Sequence, residues 1–157
     1  MTVFASGWNA ASPQALERRA AQLGKLAELR ALEERAAQAS ARSRAVFERR
    51  GQLLPRERVA LLLDPGAPWL PLCTLAGYLQ DVDERRARAS GREEVRSTPG
   101  GGMVAGIGFV SGVRCLVVAS DSGIEAGAIQ PMGLEKILRV QEIALQNRLP
   151  FLHLVEQ

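Results

Sequence analysis

The sequence predicts an α/β fold preceded by a long helical arm. The first third of the chain is rich in alanine, arginine, glutamate and glutamine, which form helices readily. Two apolar segments, 103–110 and 113–119, are joined by Ser111-Gly112 and predict a β-hairpin. A helical segment over 133–147 and a strand over 151–155 follow. This order of strand, strand, helix and strand is typical of layered α/β folds.

The first predicted element is one polar helix over residues 12–50. Ser12-Pro13 supplies an N-cap and a proline at the first helical position, and Gly51 ends the helix. Its apolar face is a narrow leucine stripe: Leu16, Leu23, Leu26, Leu29 and Leu32. A helix this polar cannot form a core by itself. We therefore expect residues 1–50 to be an arm that lies across a neighbouring surface, with a free or coiled-coil helix as the alternatives.

Residues 51–157 are predicted to form a single α/β domain. A helix over 55–63 ends at Asp64-Pro65-Gly66, which turns the chain. A strand over 69–79 and a charged loop or short helix over 81–98 come next. In the helix over 55–63, the charged residues are predicted to face outward and the apolar residues inward: Arg56, Glu57 and Arg58 outward, and Val59, Leu62 and Leu63 inward. The strand over 113–119 is apolar on both faces and is predicted to be central.

Composition excludes several classes of function. The net charge of +3 and a pI near 9.4 suggest nucleic-acid binding, but the charges alternate in sign and aromatic residues are scarce, so that reading is disfavoured. Cys73 and Cys115 have no metal-site spacing and are expected to be reduced thiols. No metal site is predicted. The sequence shows neither a signal pattern nor an apolar run of membrane-spanning length, so the expected location is the cytoplasm.

Conventional side-chain catalysis is poorly supported by the motifs. Gly106 and Gly108 lie inside a strand, not between a strand and a helix, so they predict tight backbone packing instead of a dinucleotide site. His153, the sole histidine, lies in an apolar strand and is expected to be structural. Asp121 and Glu125 share a loop without any sign of a desolvated pair. Chemistry at this domain would therefore depend on backbone amides, and no catalytic side chain is assigned.

The loop over residues 121–128 is the best candidate for a ligand site. Its small residues let backbone groups approach a ligand closely, and its glycines permit conformations closed to other residues. It lies between a central strand and the start of a helix, where α/β sheets usually bind ligands. A plain connecting loop is the alternative.

The segment from Arg50 to Gln157 resembles the carboxyltransferase (β) subunits of biotin-dependent acyl-CoA carboxylases of the methylcrotonyl- and geranyl-CoA type. Five motifs carry the resemblance in colinear order: the opening segment 50–66, the Pro99-Gly100-Gly101-Gly102 hairpin region through Val113, Ala119-Ser120-Asp121, the helix 136–144, and Asn147-Arg148-Leu149-Pro150 leading to Glu156. The resemblance covers about two thirds of the chain.

The resemblance implies a crotonase-like ββα-spiral half-domain that binds an acyl-CoA. It implies transfer of a carboxyl group from carboxybiotin to an acyl-CoA enolate held by backbone amides. The biotin would be carried by a biotin carboxylase or biotin carrier subunit, and a homo-oligomer is expected, with neither nucleic acid nor membrane as a partner. The residues implied to bind CoA are those of the loop: Ser122, Gly123, Ala126, Gly127 and Ala128.

Two departures from the family pattern qualify this expectation. The family's last strand runs into a small-residue stretch that supplies an oxyanion-hole amide, whereas this sequence stops at Glu156-Gln157. We therefore expect a truncated half-domain that is inactive alone. Residues 122–127 also differ from the commoner family version and are closer to the geranyl type. A non-catalytic assembly or remnant domain of a carboxylase complex is the alternative function, and a nucleotide-binding module is a third, which the placement of the glycines disfavours.

Overall fold

The computed structural model describes residues 7–78, 99–124 and 127–156. The chain forms two units, Met1–Leu32 and Glu33–Gln157. The predicted charged segment 81–98 and residue 79, the end of the predicted first strand, lie outside the described residues.

Helix α1 spans Pro13–Ala41 and begins where the sequence predicts. Ser12 Oγ accepts a hydrogen bond from the Ala15 amide at 3.3 Å, which satisfies one unpaired amide of the first turn. Most of the leucine stripe is exposed to solvent: the exposed fractions are 54% for Leu16, 47% for Leu23, 45% for Leu26 and 38% for Leu29. These four leucines are therefore large apolar side chains on the surface of α1.

The single helix predicted over 12–50 is interrupted, so its predicted extent was wrong. α1 ends at Ala41, and a separate helix, α2, spans Arg44–Arg49. Phe47 of α2 is buried, and the Ser43 hydroxyl bonds to a main-chain carbonyl far along the chain. These tertiary contacts determine the break, which an unbroken run of good helix formers does not reveal. Gly51, with a φ of +66°, ends α2 as predicted.

Helix α3 spans Pro55–Leu62, but the strand predicted over 69–79 was mostly wrong. Strand β1 contains only Leu70–Pro71. The Leu72 amide adds one more bond, to the Ala105 carbonyl. Cys73 then adopts a φ of +51°, and the chain continues in turns to residue 78. The apolar composition of this segment reflects packing against the core and not continued strand pairing.

The sheet has the order β1-β2-β3-β4. Strand β2, Met103–Val110, pairs antiparallel with β1 and with β3, Val113–Ser120. Strand β4, Phe151–Leu154, lies parallel to β3. Helix α4, Pro131–Gln146, provides the crossover that two parallel neighbours need. The predicted hairpin, helix and last strand are confirmed, and β3 is central.

The two faces of the sheet are covered by different helices. Helix α4 packs on one face and α3 on the other. The buried cluster on the α4 side consists of Met103, Ala105, Leu116, Val118, Ile137, Val140 and Ala144. The buried cluster on the α3 side consists of Val59, Cys115, Val117 and Ala119. Because β3 is buried on both faces, Leu116 through Ala119 have no exposed surface.

Gly106 and Gly108 serve close packing, as the sequence predicts. A Cβ on Gly106 would lie 2.3 Å from the Trp69 ring and 2.6 Å from the Leu70 carbonyl oxygen. A Cβ on Gly108 would lie 2.5 Å from a terminal carbon of Leu63. The space that a dinucleotide would need is therefore filled by the protein's own side chains.

A carboxylate holds the hairpin turn at the closed end of β2 and β3. Ser111 and Gly112 have φ values of +51° and +77°, the left-handed conformation of a two-residue hairpin turn. Both of their amides donate to the Asp64 carboxylate at 2.7 Å. The residue that stops the short helix thus also fixes the hairpin.

Candidate functional site

The 121–128 loop leaves the carboxyl end of β3 and leads to α4. Ser122, Gly123 and Gly127 are half-buried, and Ala128 is exposed. Ala126 lies outside the described residues. The loop folds back on itself, because a Cβ on Gly127 would lie 3.4 Å from the Ser122 Cβ. The predicted residues that the structure describes therefore lie within one short turn at the sheet edge where α/β proteins bind ligands.

Asp121 anchors the start of this loop. Its amide donates to the Gly102 carbonyl at 3.0 Å, and its Oδ1 accepts from the Gly123 amide at 3.1 Å. Burial raises the pKa of Asp121, while the Ser40 hydroxyl, the Gly123 amide and the positive charge of Arg56 oppose that rise. The negative charge of Glu156 also raises it. With its carboxylate engaged inside the loop, Asp121 has a structural role.

Helix α2 forms a wall beside Gly123. The Ser43 hydroxyl donates to the Gly123 carbonyl at 2.9 Å. A Cβ on Gly123 would lie 3.2 Å from the Ser43 Cβ and 3.3 Å from the Phe47 ring. Gly123 therefore packs closely against the protein itself, a role that the sequence did not predict.

Gly127 contacts the end of β4. Its φ is +82°, and its amide donates to the Ile124 carbonyl at 3.1 Å. A Cβ here would lie 3.1 Å from the Glu156 carbonyl oxygen. Any larger residue at position 127 would therefore strain the backbone and crowd the end of β4.

An arginine joins the ends of β3 and β4 on the α3 side. Arg58 Nη2 donates to the Ser120 carbonyl at 3.0 Å and lies 3.1 Å from Glu156 Oε2. Both side chains are mostly buried, with exposed fractions of 23% for Arg58 and 11% for Glu156. The prediction that Arg58 faces outward was wrong, because its guanidinium is needed to pair the Glu156 carboxylate in a region with little water.

Lys136 is a buried residue that the sequence reading missed. It is 5% exposed, and its Nζ donates to the carbonyls of Gly100 and Met103, both at 2.8 Å. Burial lowers the pKa of Lys136 to about 8, a neighbouring Cys73 opposes that shift, and the charge of Arg56 adds to it. The sequence did contain a signal, because Lys136 is three residues after Gly133 and four before Val140 on the buried face of α4.

His153 has the structural environment that the sequence predicts. Its Nε2 lies 3.3 Å from the Ser120 hydroxyl, and its ring meets Phe151 edge-on. Burial lowers the pKa of His153, which favours the neutral form of the ring. Cys73 and Cys115 are both free thiols.

The described residues place small side chains and main-chain groups, not an acid–base pair, at the loop. Across 7–78, 99–124 and 127–156, no set of three or more histidine, cysteine, aspartate or glutamate side chains could hold a metal ion. No helix among these residues is both long enough and apolar enough to cross a membrane. Asp121, Lys136 and His153 are each held by protein groups. The chemistry that this arrangement can provide is hydrogen bonding to a ligand through the loop's other main-chain groups, because the Gly123 amide and carbonyl and the Gly127 amide are bonded within the protein.

A family model described as a carboxyl transferase domain matches residues 47–157. The biotin-dependent 3-methylcrotonyl-coenzyme A carboxylase beta1 subunit of Mycobacterium tuberculosis is 47% identical over 107 residues, which cover 68% of this chain and 18% of that protein. The probable mitochondrial methylcrotonoyl-CoA carboxylase beta chain of Drosophila melanogaster is also 47% identical over 107 residues, or 68% of this chain and 16% of that protein. The chain thus spans less than a fifth of the length of these relatives.

Solved structures agree with the sequence matches. The beta subunit of P. aeruginosa geranyl-CoA carboxylase superposes with a TM-score of 0.82 at 44% identity, covering 99% of this chain and 27% of that one. The 12S transcarboxylase, described as a hexamer, superposes with a TM-score of 0.59 at 23% identity, covering 85% of this chain and 24% of that one. The latter similarity concerns the fold alone. The predicted crotonase-like α/β fold and the predicted family resemblance are confirmed.

Proposed function

The chain belongs to the carboxyl transferase domain family, and on that premise we propose that it supplies the acyl-CoA side of a carboxyltransferase. The proposed reaction moves a carboxyl group from carboxybiotin to the enolate of an acyl-CoA. One observation carries the proposal: the 121–128 loop lies inside the matched segment 47–157, at the carboxyl end of the central strand. The backbone contacts of Asp121 and Gly123 anchor this loop to the rest of the domain.

In this proposal the loop binds the adenine end of CoA through main-chain groups. The candidate residues are Ser122, Gly123, Ala126, Gly127 and Ala128. Arg56 supports the placement, because it is exposed and close enough to Asp121 for its charge to lower the pKa of that carboxyl. An exposed guanidinium beside the loop is suited to bidentate contact with a CoA phosphate.

Biotin enters the proposal as a substrate group carried by another subunit. It supplies the carboxyl group as carboxybiotin, and the relative from Mycobacterium tuberculosis is described as biotin-dependent. The small residues and main-chain groups of the loop fit a CoA nucleotide, and we assign none of them to biotin. Because the chain spans 27% of the geranyl-CoA carboxylase subunit, we propose that the isolated chain binds CoA without turnover.

Assembly is the second candidate function. The exposed leucines of α1 favour it, because a stripe from Leu16 to Leu29 is uncovered in this chain. The 12S transcarboxylase is described as a hexamer, and we propose homo-oligomers here as well. The two functions differ in one measurable respect: only the first requires the isolated chain to bind CoA.

The test measures CoA affinity by isothermal titration calorimetry on this chain and on Ala128→Glu. Ala128 is exposed, so the larger side chain leaves the core intact while it places a negative charge where the CoA phosphates would approach. The matched control is Val113→Glu, which introduces the same side chain at an exposed position at the opposite end of β3. We expect Ala128→Glu to raise the CoA dissociation constant about tenfold, or about 1.4 kcal/mol, with little change in Val113→Glu.

Three outcomes would reject the proposal. Absence of CoA binding by the folded wild-type chain would favour an assembly function. Binding of NAD or ATP in preference to CoA would indicate a nucleotide-binding module. Equal CoA affinities of the two glutamate variants would remove the loop from the site. Gly127→Val is a poorer probe, because the φ of +82° and the nearby Glu156 carbonyl mean that it also strains the fold.

A further inference from the structure

Lys136 presents an unusual arrangement for a buried cation. It is 5% exposed and, in the part of the chain that the structure describes, it forms no ion pair with a carboxylate. A buried ammonium is costly unless its protons are hydrogen-bonded. Its partners here are two main-chain carbonyl oxygens, those of Gly100 and Met103, each at 2.8 Å. The side chain therefore holds backbone, not another side chain.

The backbone that it holds has little stiffness of its own. The turn that it holds contains three consecutive glycines with φ values of +68°, +65° and +67°: Gly100, Gly101 and Gly102. Glycine reaches this left-handed conformation easily but is equally free to leave it. Helix α4 also packs directly on the turn, since a Cβ on Gly133 would lie 2.6 Å from the Gly101 carbonyl oxygen. Lys136 thus spans the glycine turn like a clamp, with one hydrogen bond at each end.

This turn is joined to the 121–128 loop by the next hydrogen bond. The Gly102 carbonyl accepts from the Asp121 amide at 3.0 Å, and Asp121 Oδ1 accepts from the Gly123 amide at 3.1 Å. A displacement of the glycine turn would therefore move the first residue of the loop. The contacts connect Lys136 to Gly123 through three consecutive steps of polar bonding.

We propose that Lys136 is a positioning residue for the 121–128 loop, acting through the glycine turn 100–102. It does not touch the ligand itself, because its Nζ is buried and two of its protons are engaged by Gly100 and Met103. The link from the loop to CoA rests on the proposed function. The link from Lys136 to the loop does not, and the two can be tested separately.

The experiment compares three variants of this chain. Lys136→Met keeps the length of the side chain and removes its donors, whereas Lys136→Arg keeps the charge and the donors. Val140→Ala is the matched control, because Val140 lies on the same helix, is fully buried and contributes to the apolar cluster instead of the turn. Amide hydrogen exchange measured by NMR reports the opening of the Asp121–Gly102 bond, and calorimetry reports CoA affinity.

We expect Lys136→Met to lower the exchange protection of the Asp121 and Gly123 amides by about tenfold beyond any loss shared with the β3 amides. We expect Val140→Ala to lower the exchange protection of the loop and β3 amides equally. Lys136→Arg should retain most of the protection of the loop amides. In Lys136→Met the CoA dissociation constant should rise about fivefold or more at a temperature where both proteins remain folded.

The outcomes separate the two proposals. Equal loss of loop protection in Lys136→Met and Val140→Ala would overturn the positioning role, whatever the wild type binds. Lack of an Lys136→Met effect on CoA affinity, in a wild type that binds CoA, would overturn the link to the ligand. Selective loss of amide exchange protection in the loop of Lys136→Met, together with a wild type that does not bind CoA, would support the positioning role of Lys136 and reject the proposed function.

Discussion

The two ends of the β2–β3 hairpin are stabilised by different kinds of interaction. At the closed end, Asp64 accepts both turn amides, and farther along β2 Gly106 and Gly108 are packed against Trp69. At the open end, where β3 and β4 finish, the chain buries Lys136 and Asp121 and largely buries an Arg58–Glu156 pair.

This difference separates stability from site geometry. Buried charge is costly because the charged groups lose their hydration when the chain folds. Around the closed end, apolar packing and one carboxylate on a tight turn suffice. At the open end, charged groups hold a glycine turn and a loop that have little rigidity of their own. Substitutions near the closed end should therefore lower the free energy of unfolding, and substitutions at the open end should also change the conformation of the 121–128 loop.

The largest expected effect is on the packing along the middle of β2. Gly106→Ala places a methyl group 2.3 Å from the Trp69 ring and 2.6 Å from a main-chain oxygen, which cannot move independently of the strand. We expect a loss of about 3 kcal/mol in the free energy of unfolding, measured by urea denaturation. Gly108→Ala is the matched comparison, and it should cost less because its nearest neighbour is a movable terminal carbon of Leu63. Equal stabilities of Gly106→Ala and wild type would show that the Trp69 contact is loose.

The second effect is a pH dependence that belongs to the open end. Burial holds the pKa of Lys136 at about 8 in the folded chain, against 10.5 for an ordinary lysine. Between these values the unfolded chain binds a proton that the folded chain does not, so raising the pH favours folding. The free energy of unfolding of wild type relative to Lys136→Met should rise with pH by up to about 1.4 kcal/mol per pH unit above pH 8.

Urea denaturation of both proteins from pH 7 to pH 9.5 measures this difference. Cys73 and Arg56 act on the same ammonium, so Cys73→Ser checks whether the thiol contributes to the slope. A difference that stays constant over the whole range would mean that Lys136 titrates normally and is not desolvated.

The smallest effect distinguishes the two ends most clearly. Asp64→Ala removes the acceptor of the Ser111 and Gly112 amides. Because this turn is exposed, those amides can bond to water, and we expect a loss of about 1 kcal/mol in the free energy of unfolding. Under conditions in which the variant is folded, its CoA affinity and the exchange protection of its Asp121 amide should match those of wild type. A selective change at Asp121 would show that the ends are coupled through the hairpin and would invalidate the comparison.

Local chemistry in the sequence was sufficient for the elements whose signals are short-range. The Ser12 cap, the Gly51 stop, the Ser111-Gly112 turn and the apolar strands around it were predicted correctly, because each depends on a few neighbouring residues. The prediction of a strand over 69–79 failed because most of its apolar residues pack on the core without extending the hydrogen-bond ladder of the sheet. The prediction of one continuous helix over 12–50 failed because Ser43 and Phe47, at the break between α1 and α2, contact the 121–128 loop, which is far away in sequence.

The sequence by itself determined the hairpin, the crossover helix and the packing role of Gly106 and Gly108, whereas the 121–128 loop as a ligand site stays a prediction. Only the tertiary structure decided which partners compensate the buried charged residues. Arg58 and Lys136 both lie on amphipathic helices, and a charge on a helix faces solvent unless a distant partner compensates its burial. Those partners are the Glu156 carboxylate for Arg58 and the carbonyls of Gly100 and Met103 for Lys136. Because they are brought near only when the sheet forms, helical periodicity alone cannot identify them.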